Sequence, residues 1–204
     1  MENIIWFFIC ILGIISMAPI HFLSVEHLKF QEKYGMEKGI KITRNLGYIS
    51  GWGFFIFLFG VWISPQPRFI IPFFQNLTLS IPIINFSIPL VHLLISILFI
   101  IISCVVAIAG VKETSLKVAE THKAEKIITT GIYSHIRHPQ YFGAILAHIG
   151  ITFLLSSFYS LLSTPLIILY NYLTSWKEEK ELIKEFGKEY EDYKKKVPMF
   201  IPKL

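Results

Sequence analysis

Residues that could do chemistry are concentrated at two places in the second half of the chain. The stretch GIYSHIRHPQYFG carries Arg137 and His138 at the start of an apolar segment, and Glu178 and Glu179 follow the last apolar segment. Opposite charges and aromatic rings at a water–lipid boundary could hold a small zwitterionic ligand whose reaction partner arrives from the bilayer. Taken singly, Arg137 could instead anchor a helix at the lipid headgroups, and the two glutamates could be a solvated helix start.

The composition indicates a membrane protein. Hydrophobic residues make up 53% of the 204 residues, whereas charged residues make up only 16%. This balance is too apolar for an ordinary soluble domain. The two cysteines, Cys10 and Cys104, both fall inside apolar runs, so we interpret them as buried, inert thiols rather than as part of a disulfide framework or a metal cluster.

Five apolar segments predict the architecture, because about 20 apolar residues cross about 30 Å of hydrocarbon. The segments are Ile4–Leu23, Leu46–Ser64, Pro89–Val111, Tyr141–Ser156 and Leu161–Thr174. Only a short turn separates the last two, so we expect a tight antiparallel hairpin there. Residues 65–88 are apolar but contain several prolines, and we expect them to form a loop at the membrane interface. The sequence therefore predicts an all-α integral membrane protein with five transmembrane helices.

The basic residues orient this layout. Apart from Arg68, all of the 19 Lys and Arg residues fall in segments 24–45 and 112–138 or after Thr174, which the five-span layout places on one side. The positive-inside rule makes that side the cytoplasm, so we expect the N-terminus outside and the C-terminus in the cytosol. The residues after Thr174 have helical apolar spacing, which predicts a cytosolic C-terminal amphipathic helix interrupted at Gly187.

Three cytosolic pieces converge in this topology: the loop 112–138, the start of the fourth span and the tail. The hairpin returns the tail beside Pro139, so the RHP turn and the two glutamates are expected to be neighbours. No histidine pair has acidic residues nearby at metal-ligand spacing, and no metal site is expected. No phosphate loop, serine-hydrolase elbow or dinucleotide fingerprint is present. The basic residues serve orientation, so nucleic acid is not an expected partner.

The joint pattern resembles the isoprenylcysteine carboxyl methyltransferase family, whose signature related phospholipid methyltransferases share. The pattern consists of IITTGIYSHIRHPQYFG, a helical hairpin and EEKELIKEFGKEYEDYKKKVPMFIP, in this order over residues 112–202. The resemblance implies methyl transfer from S-adenosyl-L-methionine (SAM) to a lipophilic acceptor, a prenylcysteine carboxylate, at the cytosolic membrane face. It also implies that this lipophilic or prenylated substrate enters from the bilayer among the membrane lipids.

The resemblance further implies which residues bind the ligands. In the family, the loop before the RHP element, that element and the acidic pair surround SAM. Arg137 is the implied contact to the substrate. Apolar and aromatic side chains could accommodate adenine, and the free N–H groups at the helix start after the RHP turn could face an anionic group. The implied cofactor contacts are Lys126, Ile127, Ile128, Tyr133, His138, Tyr141, Glu178 and Glu179.

We expect one membrane domain over residues 1–204. Residues 1–111 would form the first three spans and the interfacial loop, and residues 112–204 would form the cofactor-binding loop, the helical hairpin and the C-terminal tail.

The methyl acceptor stays open between two chemistries. Family members that act on prenylcysteine tend to carry an arginine just before the acidic pair, where this chain has Thr174, and Lys177 is the nearest cation. A phospholipid amine or another small lipophilic nucleophile is therefore an alternative acceptor. A carboxylate is already ionised at neutral pH and needs no general base, whereas an amine must first lose a proton. Further alternatives are an NADPH-dependent membrane reductase and a non-catalytic membrane protein.

Overall fold

The architecture is known from a computed structural model that describes residues 2–72, 77–84, 86–114 and 126–202. It is mostly helical, which confirms the expected class. The elements in chain order are α1 (Glu2–Ser24), α2 (His27–Tyr34), α3 (Met36–Ile63), β1 (Thr78–Ile81), β2 (Phe86–Pro89), α4 (Leu90–Thr114), α5 (Pro139–Leu155), α6 (Phe158–Phe186) and α7 (Lys188–Lys196).

Three of the described helices are long and apolar enough to cross a membrane. These are Ile4–Ser24 within α1, Met36–Ile63 and Leu90–Thr114, and α5 is a shorter apolar helix. The chain is therefore a membrane protein, as its composition indicates. The predicted fourth span coincides with α5, and the predicted fifth span forms the first part of α6.

Helix α3, which contains the second predicted span, is longer than the apolar pattern predicts. It begins at Met36 rather than at Leu46, so most of the predicted cytosolic loop 24–45 is helical. Hydropathy marks only the apolar part of such a helix, whereas the backbone continues as a helix through the polar residues before it. A contact of 2.9 Å between His27 Nδ1 and Thr43 Oγ1 joins α2 to this polar start of α3.

The proline-rich segment on the opposite side contains a short hairpin. Strands β1 and β2 pair in antiparallel register, with Thr78 opposite Pro89. The backbone N–H of Phe69 donates to the carbonyl of Ser156 at 2.9 Å, which attaches the segment to the turn between α5 and α6. The prolines explain why the described residues of this segment form no long helix, but the strand pairing could not be predicted from the sequence.

Two groups of packed helices position the RHP turn and the two glutamates. Helices α1, α3 and α6 share a buried core that includes Ile14, Leu58 and Ile167. Helices α4 and α5 lie close together because Gly143 brings α5 against α4, where the Ser103 hydroxyl donates to the Gly143 carbonyl at 2.7 Å. Close approach at small residues is typical of membrane helices. The end of α1, the end of α4, the start of α5 and the second half of α6 therefore lie close together.

Candidate functional site

The site is built around the RHP turn that precedes α5. The backbone N–H of Arg137 donates to the carbonyl of Pro198 at 2.9 Å, and that of His138 donates to the carbonyl of Met199 at 3.1 Å. The chain after α7 therefore runs alongside the turn and satisfies two of its backbone donors. Pro139 then begins α5, which suits a first helical position that needs no N–H donor.

A buried carboxylate joins the RHP turn to α6. Glu179 is fully buried, and its Oε1 lies 2.7 Å from Arg137 Nε, 2.6 Å from Arg137 Nη2 and 3.2 Å from His138 Nε2. Its Oε2 lies 2.7 Å from Lys194 Nζ. Burial alone would raise the pKa of Glu179, but the bonds from His138 and Lys194 and the charge of Arg137 lower that pKa to about 2. Glu179 is therefore a carboxylate at neutral pH.

Most N–H groups of the Arg137 guanidinium are bound to the protein itself. Besides the two contacts to Glu179, Arg137 Nη1 donates to the carbonyl of Lys194 at 3.1 Å and to the carbonyl of Val197. These bonds join the RHP turn to both α6 and the end of α7. Little donor capacity is left for a ligand, so the geometry suits Arg137 to positioning the turn.

Glu178 points away from Arg137 and Lys194 and contacts a second set of polar side chains. The Tyr141 hydroxyl donates to Glu178 Oε1, and His21 Nε2 lies 3.3 Å from that oxygen. His138 Nδ1 lies 3.6 Å from Glu178 Oε2, so the imidazole of His138 stands between the two glutamates. Neighbouring residues of an α-helix point about 100° apart, which explains why Glu178 and Glu179 serve different surroundings.

A cavity of about 800 Å³ lies on the Glu178 side. This volume is within the range of small-molecule and cofactor sites. Glu179 is absent from its lining, because the side chain is enclosed by Arg137, His138 and Lys194. The structure brings the other expected ligand contacts together around the cavity: Lys126, Ile127, Ile128, Tyr133, Arg137, His138, Tyr141 and Glu178.

One end of the cavity has an aromatic wall contributed by α7. Tyr190 and Tyr193 are buried against Ile127, and the Tyr193 hydroxyl donates to the carbonyl of Tyr133 at 2.7 Å. Burial raises the pKa of Tyr133 to about 12, so its phenol is neutral at physiological pH. Tyr190 and Tyr193 were not among the predicted contacts, although their helical spacing in the tail marks one face of α7.

The other end of the cavity reaches into the membrane helices. It is lined by His21 of α1, by Gly51 and Phe55 of α3, and by Tyr170 of α6. Phe55 is 51% exposed on the outer surface of α3, and a Cβ added at Gly51 would meet no atom within 4 Å. The cavity therefore borders open space beside the apolar helix α3. Nothing in the sequence pairs α1 and α3 with the RHP turn.

Thr174, at the position where prenylcysteine methyltransferases tend to carry an arginine, and Lys177, the nearest cation, both face away from the cavity. Thr174 is fully buried, and its hydroxyl donates to the backbone carbonyls of Tyr170 and Asn171. Lys177 forms ion pairs with Glu26 at 2.7 Å and with Glu181 at 3.0 Å. Neither residue lines the cavity.

Comparison with known proteins identifies the family. The family model for phospholipid methyltransferases matches residues 87–189, about half of the chain. The chain belongs to the phospholipid methyltransferase family. The matched region holds α4, α5, the RHP turn and both glutamates, but not α1 or α3.

Curated relatives point to one branch of this family. The chain is 34% identical over 102 residues to the protein-S-isoprenylcysteine O-methyltransferase of Schizosaccharomyces pombe, a match that covers 46% of this chain and 40% of the relative. It is 34% identical over 107 residues to the protein of the same name from Xenopus laevis, covering 48% and 35%. The match thus spans well under half the length of these relatives. The resemblance found in the sequence is confirmed.

We expect Glu179→Gln to destabilise the protein strongly. The substitution leaves the buried guanidinium of Arg137 without its counter-charge, and breaking a buried pair in this way costs about 3–5 kcal/mol. Thermal unfolding of the detergent-purified protein checks this. Glu189→Gln, at an exposed position of α7, is the matched control and should change the unfolding free energy by less than about 0.5 kcal/mol. Equal midpoints for the two variants would contradict the assignment.

The same carboxylate predicts acid sensitivity. The pKa of Glu179 is lowered from 4.5 to about 2 on folding, so the stabilisation is fully present above about pH 4.5 and is lost as the pH falls towards 2. The melting temperature of the wild type should therefore decrease across this interval. Glu179→Gln, which cannot titrate, should show a smaller decrease. Parallel curves for the two proteins would show that other groups cause the acid sensitivity.

Proposed function

We propose that this protein is a SAM-dependent methyltransferase that acts on a lipophilic acceptor at the cytosolic membrane face. One observation carries the proposal: a single cavity joins the RHP–glutamate site to open space beside α3, which would serve as a passage to the bilayer. A water-soluble methyl donor and a membrane-bound acceptor could each reach this cavity from their own phase. Membership of a methyltransferase family and the names of the relatives support the same activity.

The donor groups around the cytosolic end fit SAM. Its adenine requires an apolar or aromatic surface, which Ile127, Ile128 and Tyr133 provide. Its ammonium and ribose hydroxyls require acceptors, and Glu178 presents a carboxylate there. Lys126 supplies a cation for the carboxylate of SAM. We assign cofactor contacts to Lys126, Ile127, Ile128, Tyr133, His138, Tyr141 and Glu178, and we assign Glu179 and Arg137 to positioning.

The protein's own contribution to the reaction is positioning and exclusion of water. Bound SAM supplies a methyl group made electrophilic by its sulfonium. The Arg137–Glu179 pair fixes the RHP turn, and this holds His138 and Tyr141 on one side of the cavity opposite the aromatic wall of α7. Orientation of two reactants in a site closed to water accounts for large rate accelerations without a covalent intermediate.

We further propose the five-span topology for this membrane protein. Helices α1, α3 and α4 would be the first three spans, and α5 with the first part of α6 would form the hairpin of the last two. The distribution of Lys and Arg supports an external N-terminus and a cytosolic C-terminus. The remainder of α6 and α7 would then form the amphipathic cytosolic tail, which includes the aromatic wall of the cavity.

The relatives' names make a prenylcysteine carboxylate one candidate acceptor. A second candidate, an amine or another neutral nucleophile, is favoured by the electrostatics of the site. Among the described residues, Arg137 is occupied by Glu179 and backbone carbonyls, and Lys177 is paired with Glu26 and Glu181. Neither cation is placed to bind an acceptor carboxylate.

SAM binding is the test of the proposed cofactor. Isothermal titration calorimetry on the detergent-purified protein should detect SAM binding at micromolar concentrations. Glu178→Gln removes the carboxylate that accepts hydrogen bonds in the cavity, so we expect its affinity to fall at least about tenfold, the equivalent of one charge-assisted hydrogen bond. Glu189→Gln, outside the cavity, should bind like the wild type. Binding of NADPH instead of SAM by the folded protein would indicate a reductase, and binding of neither would indicate a non-catalytic protein.

If the acceptor enters beside α3, a substitution there should slow methyl transfer without weakening SAM binding. Gly51→Phe adds a ring in the open space of the passage, so transfer of labelled methyl groups to a lipophilic acceptor should fall at least about tenfold, the loss expected from misplacing a reactant. SAM affinity should stay within about twofold of the wild type, since Gly51 lies away from Glu178.

The matched control for this passage is Ile56→Phe. Ile56 lies on the same helix, is 64% exposed and does not line the cavity. It should transfer methyl groups at the wild-type rate. Normal transfer by Gly51→Phe, measured with a farnesylcysteine analogue and with phosphatidylethanolamine, would show that the acceptor does not enter past α3.

A further inference from the structure

A second group of polar side chains lies inside the helix bundle, at the opposite end of α5 from the RHP turn. Three helices each contribute two of these side chains, and the members of each pair are four residues apart and so share one face of their helix. The pairs are His92 and Ser96 on α4, His148 and Thr152 on α5, and Ser160 and Thr164 on α6. None of these six residues lines the cavity. Polar side chains of membrane helices need partners inside the bundle, because lipid tails offer none.

Direct contacts close this group at both ends. His92 Nδ1 lies 2.9 Å from the hydroxyl oxygen of Ser156, at the end of α5. Two helical turns earlier on α5, His148 Nε2 lies 3.2 Å from the Thr164 hydroxyl oxygen, and His148 Nδ1 accepts a hydrogen bond from Trp62 Nε1 at 3.1 Å. These contacts join α5 to α4 at one level and to α6 at another.

The level between these contacts consists of three hydroxyls. Thr152 lies one turn from Ser156 and one turn from His148 along α5. Helix α5 runs antiparallel to α4 and to α6. The residue opposite Thr152 on α4 is therefore Ser96, and the residue opposite it on α6 is Ser160.

These three hydroxyls have no hydrogen-bond partner among the described residues. The side-chain oxygens of Ser96, Thr152 and Ser160 are enclosed and unpaired, and so is His92 Nε2. Each of the four residues is at most 1% exposed. A buried polar atom without a partner has lost its hydrogen bonds to water without replacement, so native proteins contain few such atoms. Four of them at adjacent levels of one helix interface indicate a bound molecule.

We propose that Ser96, Thr152 and Ser160 form a buried water-binding site. Ordered water bridges the Thr152 hydroxyl to the hydroxyls of Ser96 and Ser160, and His92 Nε2 is a further partner one turn away. Water fits this site because each hydroxyl can both donate and accept a hydrogen bond, and a buried water commonly makes about three such bonds.

Charge disfavours a metal cation at the same place. The six polar side chains include no carboxylate, and burying a charge without a counter-charge is costly. Arg68 Nη2 donates to the carbonyl of Ser87, shortly before α4 begins, so a positive charge already lies near this end of the bundle. The site therefore favours a neutral ligand.

Bound water at this level fixes the far end of α5. The RHP turn precedes Pro139, which is about 20 Å along the helix from Thr152. The pair between Arg137 and Glu179 holds α5 at the RHP turn, and the water site holds it between α4 and α6 at the other end. This role does not depend on the proposed methyl transfer, since the water site is separate from the cavity.

A crystal structure at a resolution that shows ordered water tests the site directly. We expect density about 2.5–3.0 Å from the hydroxyl oxygen of Thr152 and from that of Ser96, Ser160 or both. This density should remain in Thr152→Ser, which keeps the hydroxyl, and should be lost in Thr152→Val. Thr174→Val is the matched control: Thr174 is fully buried, but its hydroxyl is bonded to carbonyls of its own helix, so the density beside Thr152 should be unchanged.

Stability provides a second test, because a hydrated site and a dry site predict opposite changes. Thr152→Val replaces a hydroxyl by a methyl group of similar size. With water bound, the substitution removes one of its partners, and the melting temperature should fall by about 2–4 °C, the equivalent of one hydrogen bond in a chain of this length. In a dry site it would remove an unsatisfied hydroxyl, and the melting temperature would rise.

Three results would overturn the proposal. The first is a wild-type map that shows ordered water elsewhere but none beside Thr152. The second is density with the many short oxygen contacts of a metal ion. The third is a Thr152→Val variant that melts at or above the wild-type temperature. If Thr152→Val does not fold, the wild-type map alone decides.

Discussion

The buried ion pair between Arg137 and Glu179 is the interaction on which the rest of the site depends. Removing two charges from water costs on the order of several kcal/mol per ion, and only good geometry with further hydrogen bonds compensates for it. Here the Lys194 ammonium binds Glu179, and the carbonyls of Lys194 and Val197 at the end of α7 accept hydrogen bonds from Arg137. The RHP turn is about 40 residues away in sequence from Glu179 of α6. The Arg137–Glu179 pair can therefore form only when the turn, α6 and the tail are all in place.

This arrangement divides two adjacent glutamates between two tasks. Glu179 is buried and binds Arg137, which stabilises the fold. Glu178 faces the cavity, and Tyr141, His21 and His138 surround it. The cavity extends from the C-terminal tail to the apolar helices, as the proposed transfer between a polar donor and a lipophilic acceptor requires.

The sequence predicted those features that depend on local composition. Local sequence shows the apolar stretches of α1 and α4 and the prolines after α3. The resemblance carried by the RHP–glutamate pattern named ligand contacts that, apart from Glu179, all line the cavity. Other features depend on contacts between distant residues. The polar start of α3 has no hydropathy signal, the orientation of Glu179 follows from its partner Arg137, and His21 meets Glu178 across more than 150 positions of sequence.

A structure of the complex with S-adenosylhomocysteine, the demethylated form of SAM, tests the central claim most directly. The account predicts that its adenosine lies between Ile127 and Tyr133, with Glu178 in hydrogen-bond distance of the ribose or the amino group and the sulfur directed towards His21. A ligand bound elsewhere on the protein, or a cavity that stays empty at saturating ligand, would contradict the claim that this cavity is where the methyl group is transferred.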